Sequence, residues 1–172
     1  MASTTVIRAL EPEQWRVLRD VRLRALKESP ASFSKTAVEE QAYDEAEWRG
    51  RLGSPTASPP VRWLIAENAG LPVGLACGRI DPVRPEVVNV FSMWVEPGSR
   101  RSGIGSQLLQ GIVDWTRATG ARRLVLGVAA ACKGAVRLYE SRGFVRTGDP
   151  GPAGQPARPA DGSFVVMTLE LS

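Results

Sequence analysis

Apolar residues recur along this chain with two different periods, and the switches between them mark out its elements. TTVIRAL, residues 4–10, reads as a short strand. Pro12 then stands at a helix start, and Trp15, Leu18, Val21 and Ala25 repeat at helical spacing through PEQWRVLRDVRLRALKES. DEAEWRGRL opens a second helix at Asp44, with Glu47 placed as in a capping box. GSPTASPP interrupts the pattern with prolines and glycine. Three strands follow in series: VRWLIAEN, LPVGLACGRID beyond an Ala69–Gly70 turn, and EVVNVFSMWVEP. The third is apolar on both faces, with Val88, Val90 and Trp94 on one and Phe91, Met93 and Val95 on the other, as an interior strand requires.

The second half alternates element types. Ile104, Leu108, Ile112 and Trp115 form one helical stripe; RRLVLGVA reads as a buried strand, KGAVRLYESR as a short helix and GFVRTG as a further strand. DPGPAGQPARPADG is a Pro- and Gly-rich loop, expected to act as a lid or spacer, and SFVVMTLEL closes the sheet. Neither a repeat nor a linker between two cores appears, so residues 1–172 read as one α/β domain. Its parts are N-terminal helices at about 11–53, a core at about 60–149 and a closing strand at 163–171.

Composition narrows the chemistry. Hydrophobic residues make up 43% and charged residues 23%, the profile of a soluble globular protein. No apolar run approaches the roughly 20 residues that span a bilayer, and MASTTVIRALEPEQW lacks the layout of a secretion signal. A cytoplasmic location without membrane attachment is the expectation. The net charge of +4 comes from arginines spread along the chain, not from a dense basic tail, which argues against nucleic acid as a partner. The histidine count of zero removes Ser-His-Asp and Cys-His machinery and histidine-based metal sites. Cys77 and Cys132 form no CxxC pair, so no metal is expected.

EPGSRRSGIGSQLLQGIV places arginines and paired glycines before an amphipathic run, an arrangement that leaves a helix N-terminus open to an anion. A P-loop would need lysine and a hydroxyl where Ile104 and Gly105 stand. A dinucleotide fingerprint would need glycine at Leu108. What fits is R-x-x-G-x-G behind a V-x-P strand end (Val95, Glu96, Pro97), followed further on by AVRLYESRGF. In order, separation and flanking strands the two segments resemble the GNAT superfamily of acetyl-CoA-dependent N-acetyltransferases, closely over about residues 60–149.

The resemblance implies a single-domain fold with a mixed central sheet of about seven strands, helices on both faces, and a splay between the fourth and fifth strands. It implies that the pantetheine arm of acetyl-CoA fills that splay and pairs with the main chain of Met93 and Val95. Pyrophosphate would rest on Arg101, Ser102, Gly103, Ile104, Gly105 and Ser106, with Arg100 at the first motif position. Trp94, Cys132, Ala135 and Tyr139 complete the implied coenzyme set, and Tyr139 matches the tyrosine that faces the coenzyme sulfur. Gly103 and Gly105 are expected to let phosphate approach the backbone.

Two departures stand out. Cys132 occupies the usual asparagine position, and Asn89 and Gly127 lie nearest to where some relatives place a glutamate base. Asp81 and Glu86, near the strand entrance, read as solvated strand-end charges, which leaves the base unassigned. Asp20, Glu28, Glu39, Glu40 and Asp44 are candidates to attract a cationic amine, although such charges ordinarily face solvent. The function implied is acetyl transfer to a primary amine of a small molecule or protein. The alternative is a catalytically degenerate acyl-CoA-binding sensor. The acceptor and the oligomeric state stay open, a homodimer through the closing strands being compatible with the family.

Overall fold

The computed structural model describes residues 4–54, 56–152 and 163–172. Most of the loop expected at 149–162 therefore lies outside the described residues. Strands β1 (Thr5–Ala9), β2 (Val61–Asn68), β3 (Leu71–Ile80), β4 (Val87–Val95), β5 (Arg123–Ala129), β6 (Val145–Thr147) and β7 (Phe164–Glu170) form one sheet. Its order is β1-β2-β3-β4-β5-β7-β6. Every pairing is antiparallel except β4 with β5. Ala69 and Gly70, at φ 51° and 77°, make the tight β2–β3 turn, since left-handed residues match the twist of a hairpin.

Helices cover both faces. On one, α4 (Ile104–Thr119) and α5 (Lys133–Ser141) bury Ile104, Leu108, Ile112, Val136 and Tyr139 against Leu64, Val88, Leu124 and Met167. On the other, α1 (Trp15–Glu28) and α3 (Glu45–Leu52) bury Trp15, Leu18, Val21, Ala25 and Trp48 against Trp63, Leu75 and Trp94. Between those two helices lies α2 (Ala37–Gln41), which hydrophobic periodicity does not reveal. A reciprocal capping box between Thr36 and Glu39 starts it.

The middle of the sheet positions the site. Only Val87–Asn89 of β4 pair with β5, opposite Arg123–Val125. From there the two strands part. This is no fraying of β5, whose other edge stays paired with β7 from Arg123 through Ala129. The parting coincides with an irregularity in β4: its register against β3 moves from Leu75–Trp94 to Cys77–Phe91, and Ser92 takes φ 56°. Arg22 Nη1 donates to Ser92 Oγ at 2.8 Å and so ties α1 to this bulge.

Candidate active site

The helix start predicted to bind an anion is bare. Gly103 caps α4 at φ 84°, and no side chain satisfies the cap. Such a φ favours a residue without Cβ. Among the described residues, the amide N–H groups of residues 101–106 have no backbone or side-chain acceptor; the first satisfied amide is that of Gln107, bonded to Gly103 O at 3.0 Å. Aligned N–H groups at a helix N-terminus carry partial positive charge and attract anions. Arg101, at φ 62°, lines the mouth of the site with no ion-pair partner among the described residues.

A cavity of about 530 Å³ runs from this helix end along the open edge of β4 to α5, within the range of small-molecule sites. Among the residues lining it are Met93, Trp94, Val95, Arg100, Arg101, Gly103, Gly105, Ser106, Cys132, Ala135 and Tyr139. The structure thus brings together nearly all of the expected coenzyme set. Ser102 and Ile104 do not line it: the Ser102 hydroxyl donates to Ser99 O, and Ile104 is buried in the core. Their amides alone face the site's helix end.

Two expected roles change in detail. Arg100 does not point freely at an anion: Nη2 bonds Glu28 Oε2 at 2.7 Å, and Nε donates to Val95 O at 2.8 Å. Gly105 serves packing as much as approach, because a Cβ there would stand 3.1 Å from Leu138 Cδ2 on α5. The edge of β4 does open as expected. Glu96 N–H donates to Val73 O on β3, so strand alternation turns the main chain of Val95, and of Met93, toward the gap.

A smaller cavity of about 90 Å³ lies beyond, lined by Phe33, Phe91, Ser92, Gly127 and Phe164 among others. Ser32, Met93, Cys132, Ala135 and Tyr139 line both cavities and form the neck between them. Tyr139 is 5% exposed, and its hydroxyl has no hydrogen-bond partner among the described residues. Burial pushes the phenol well above its ordinary range, with the neighbouring Cys132 adding to the shift. It therefore stays protonated.

The carboxylates expected to face solvent or greet an amine are already engaged. Glu40 is fully buried, accepting two bonds from Arg22 and two from Arg51 at 2.8–3.0 Å. Burial opposes its charged form, yet these bonds outweigh it and hold the carboxyl below the usual range. Glu28 accepts from Ser29, Trp94 and Arg100, which likewise lowers its pKa. Glu39 and Asp44 cap helices, and Asp20 pairs with Arg24. Asp81 is no solvated strand-end charge either: it is 2% exposed and accepts from Asn89, Val83 N–H and Arg84. Glu86 is exposed, as expected. Asn89, fully buried on Asp81, ends the paired half of β4, and Gly127 lines the smaller cavity.

The parted parallel strand pair, the bare helix start and the buried Tyr139 lie in one region of the fold. The profile of the Acetyltransferase (GNAT) family matches residues 21–144, and the chain belongs to that family. It is 35% identical over 98 residues to the IAA acetyltransferase of Azospirillum brasilense, an alignment covering 57% of this chain and 63% of that protein. The chain thus spans less than two thirds of that relative's length. Among solved structures it is similar to a GNAT-family acetyltransferase from Streptococcus pneumoniae, with TM-score 0.79 and 24% identity over 98% of this chain and 100% of the other. It is also similar to the PaiA N-acetyltransferase of Thermoplasma acidophilum in complex with coenzyme A, with TM-score 0.74 and 17% identity over 97% and 99%. No helix among the described residues is long and apolar enough to cross a membrane.

Proposed function

We propose that the protein is an N-acetyltransferase that passes the acetyl group of acetyl-CoA directly to a primary amine, acting as a single domain in the cytoplasm. One observation carries the reading: unsatisfied amides at the start of α4 open onto a cavity that follows the open edge of β4 and meets, at Tyr139, a smaller cavity between β4 and β5. Pyrophosphate fits the amides and Arg101, and an amide-bearing arm fits the open edge of β4 at Met93 and Val95. Val95 O already accepts from Arg100, but a carbonyl has a second lone pair for a further donor.

Acetyl-CoA supplies a thioester whose carbonyl carbon takes the new C–N bond as its C–S bond breaks. The main-chain N–H groups at the open end of β4 are the donors available to the carbonyl oxygen as it gains charge. Tyr139 donates a hydrogen bond to the departing sulfur. Its raised pKa makes it a weak acid, so it stabilises the thiolate without first giving up its proton. With the nearby carboxylates engaged, proton removal from the ammonium is assigned to solvent water.

The test is coenzyme binding by calorimetry together with release of free thiol from acetyl-CoA across a broad amine panel. Binding with turnover on at least one amine is expected. Binding without turnover on every amine would instead make the chain an acyl-CoA-binding sensor, and absence of binding would overturn both.

A further inference from the structure

We infer that Cys132 is a modification site: under oxidising conditions its thiol forms a reversible mixed disulfide with the thiol of product coenzyme A and locks the site. The inference rests on the proposed coenzyme site. If pyrophosphate lies at α4 and the acetyl group faces the smaller cavity, the sulfur between them lies at the neck. Cys132 is one of the residues lining that neck. The second mark of the position is Tyr139, more than nine-tenths buried, which lines the same neck and whose hydroxyl has no hydrogen-bond partner among the described residues.

Cys132 is half-buried, and the contact of its Sγ with Ser32 Oγ is long, 3.9 Å. Among the described residues no other hydrogen bond engages the sulfur. Cys77 is the internal contrast. It is 4% exposed within the core, and burial pushes its thiol up to about 12. One cysteine is therefore shielded and the other faces the reacting sulfur.

The chemistry balances with a peroxide as the oxidant. The Cys132 thiolate attacks one peroxide oxygen; the O–O bond breaks, leaving sulfenic acid and hydroxide. The coenzyme thiol then attacks the sulfenic sulfur, an S–S bond forms and water leaves. Excess thiol reverses the product by exchange. Acetyl-CoA has no free thiol and cannot take part, so the device senses product under oxidation.

The experiment treats the full chain with hydrogen peroxide and coenzyme A and follows intact mass and peptide maps. A single coenzyme adduct on Cys132 is expected, removed by dithiothreitol. It should be absent with acetyl-CoA in place of coenzyme A and absent in Cys132→Ser. Glutathione at equal concentration should react at least about tenfold more slowly, because it is not held at the neck. Calorimetry of coenzyme A on the native chain kept reduced with dithiothreitol separates the two readings. Binding there, with no Cys132 adduct in the native chain or with equal glutathione labelling, overturns the disulfide alone. Failure of the native chain to bind coenzyme A overturns it together with the coenzyme site.

Discussion

The two flanks of the β4–β5 gap treat charge in opposite ways. On the flank of α1–α3, the proposed acceptor side, the carboxylates are spent: Glu40 is sandwiched between Arg22 and Arg51, Glu28 holds Trp94 and Arg100, and Asp20 pairs with Arg24. On the flank of α4 and α5, the proposed coenzyme side, the amides of residues 101–106, the Arg101 guanidinium and the Tyr139 hydroxyl have no partners among the described residues. Removing one partner from a buried charge network leaves an uncompensated charge, so the first flank reads as scaffold. Groups held in place but unsatisfied need a partner from outside, so the second reads as binding surface.

The sharpest break in this comparison is Glu40→Ala, which strands Arg22, 6% exposed, without its counter-charge. A loss of about 3–5 kcal/mol is expected, a melting temperature lower by about 10 °C or more by circular dichroism. Glu45→Ala, which breaks the exposed Arg49–Glu45 pair, should cost less than about 0.5 kcal/mol. If the two variants melt alike, the buried network is not the anchor of the acceptor flank. Gly103→Val attacks the other flank. A β-branched residue resists φ 84°, and reshaping this turn misaligns the amides around it. Coenzyme A affinity should fall by about 30-fold, roughly 2 kcal/mol or one charge-assisted bond, read by calorimetry. Gly98→Ala, where an added Cβ meets nothing within 4 Å, should bind like the native chain.

The coenzyme flank was more legible in the sequence than the acceptor flank, for a physical reason. Anion binding at a helix start depends on local features, so glycines, arginine and the following stripe reveal it. Strands β2 and β3 and the Ala69–Gly70 turn are local in the same way. The pairing of Glu40 with Arg22 and Arg51 joins α1, α2 and α3 in space, and in one dimension the acidic run around it looks solvated. Helix α2 is too short to show a period; the Thr36–Glu39 spacing was its one readable signal. The parting of β4 from β5 came from family resemblance, not from pattern, since a strand apolar on both faces looks the same paired or parted. Asp81 sits beside a turn, where charges ordinarily meet water. Its burial depends on Asn89, which a contact across the hairpin brings to it.

That contact gives a smaller prediction on the zipped half of β4. Burial disfavours the Asp81 anion, but the donors of Asn89, Val83 and Arg84 outweigh it and bring its pKa from the ordinary 3.8 to about 2. A carboxyl lowered by folding stabilises the fold above its unfolded pKa and loses that contribution as acid protonates it. About 2 kcal/mol should therefore be present above pH 4 and vanish progressively toward pH 2. Urea titrations over this range should show the loss in the native chain, with a shallower slope in Asp81→Asn. Equal slopes would mean that Asp81 does not secure the last rung before the gap.

The smallest effect is the most informative about chemistry. A full general acid at Tyr139 would contribute about 10²–10⁴-fold to the rate. Burial instead raises the phenol pKa, and the departing thiol is the stronger acid of the two, ordinarily about 8.5 against 10. Transfer of the phenol proton to sulfur is uphill, and what remains is one hydrogen bond to a developing anion. Tyr139→Phe should therefore lower kcat by only about tenfold, about 1.4 kcal/mol, with the KM for acetyl-CoA nearly unchanged. The aromatic packing on Phe144, with centroids 5.8 Å apart, does not involve the lost hydroxyl. A thousandfold loss would show that binding of acetyl-CoA lowers the phenol pKa and makes it an acid; no loss would show that the unpartnered hydroxyl meets no developing charge.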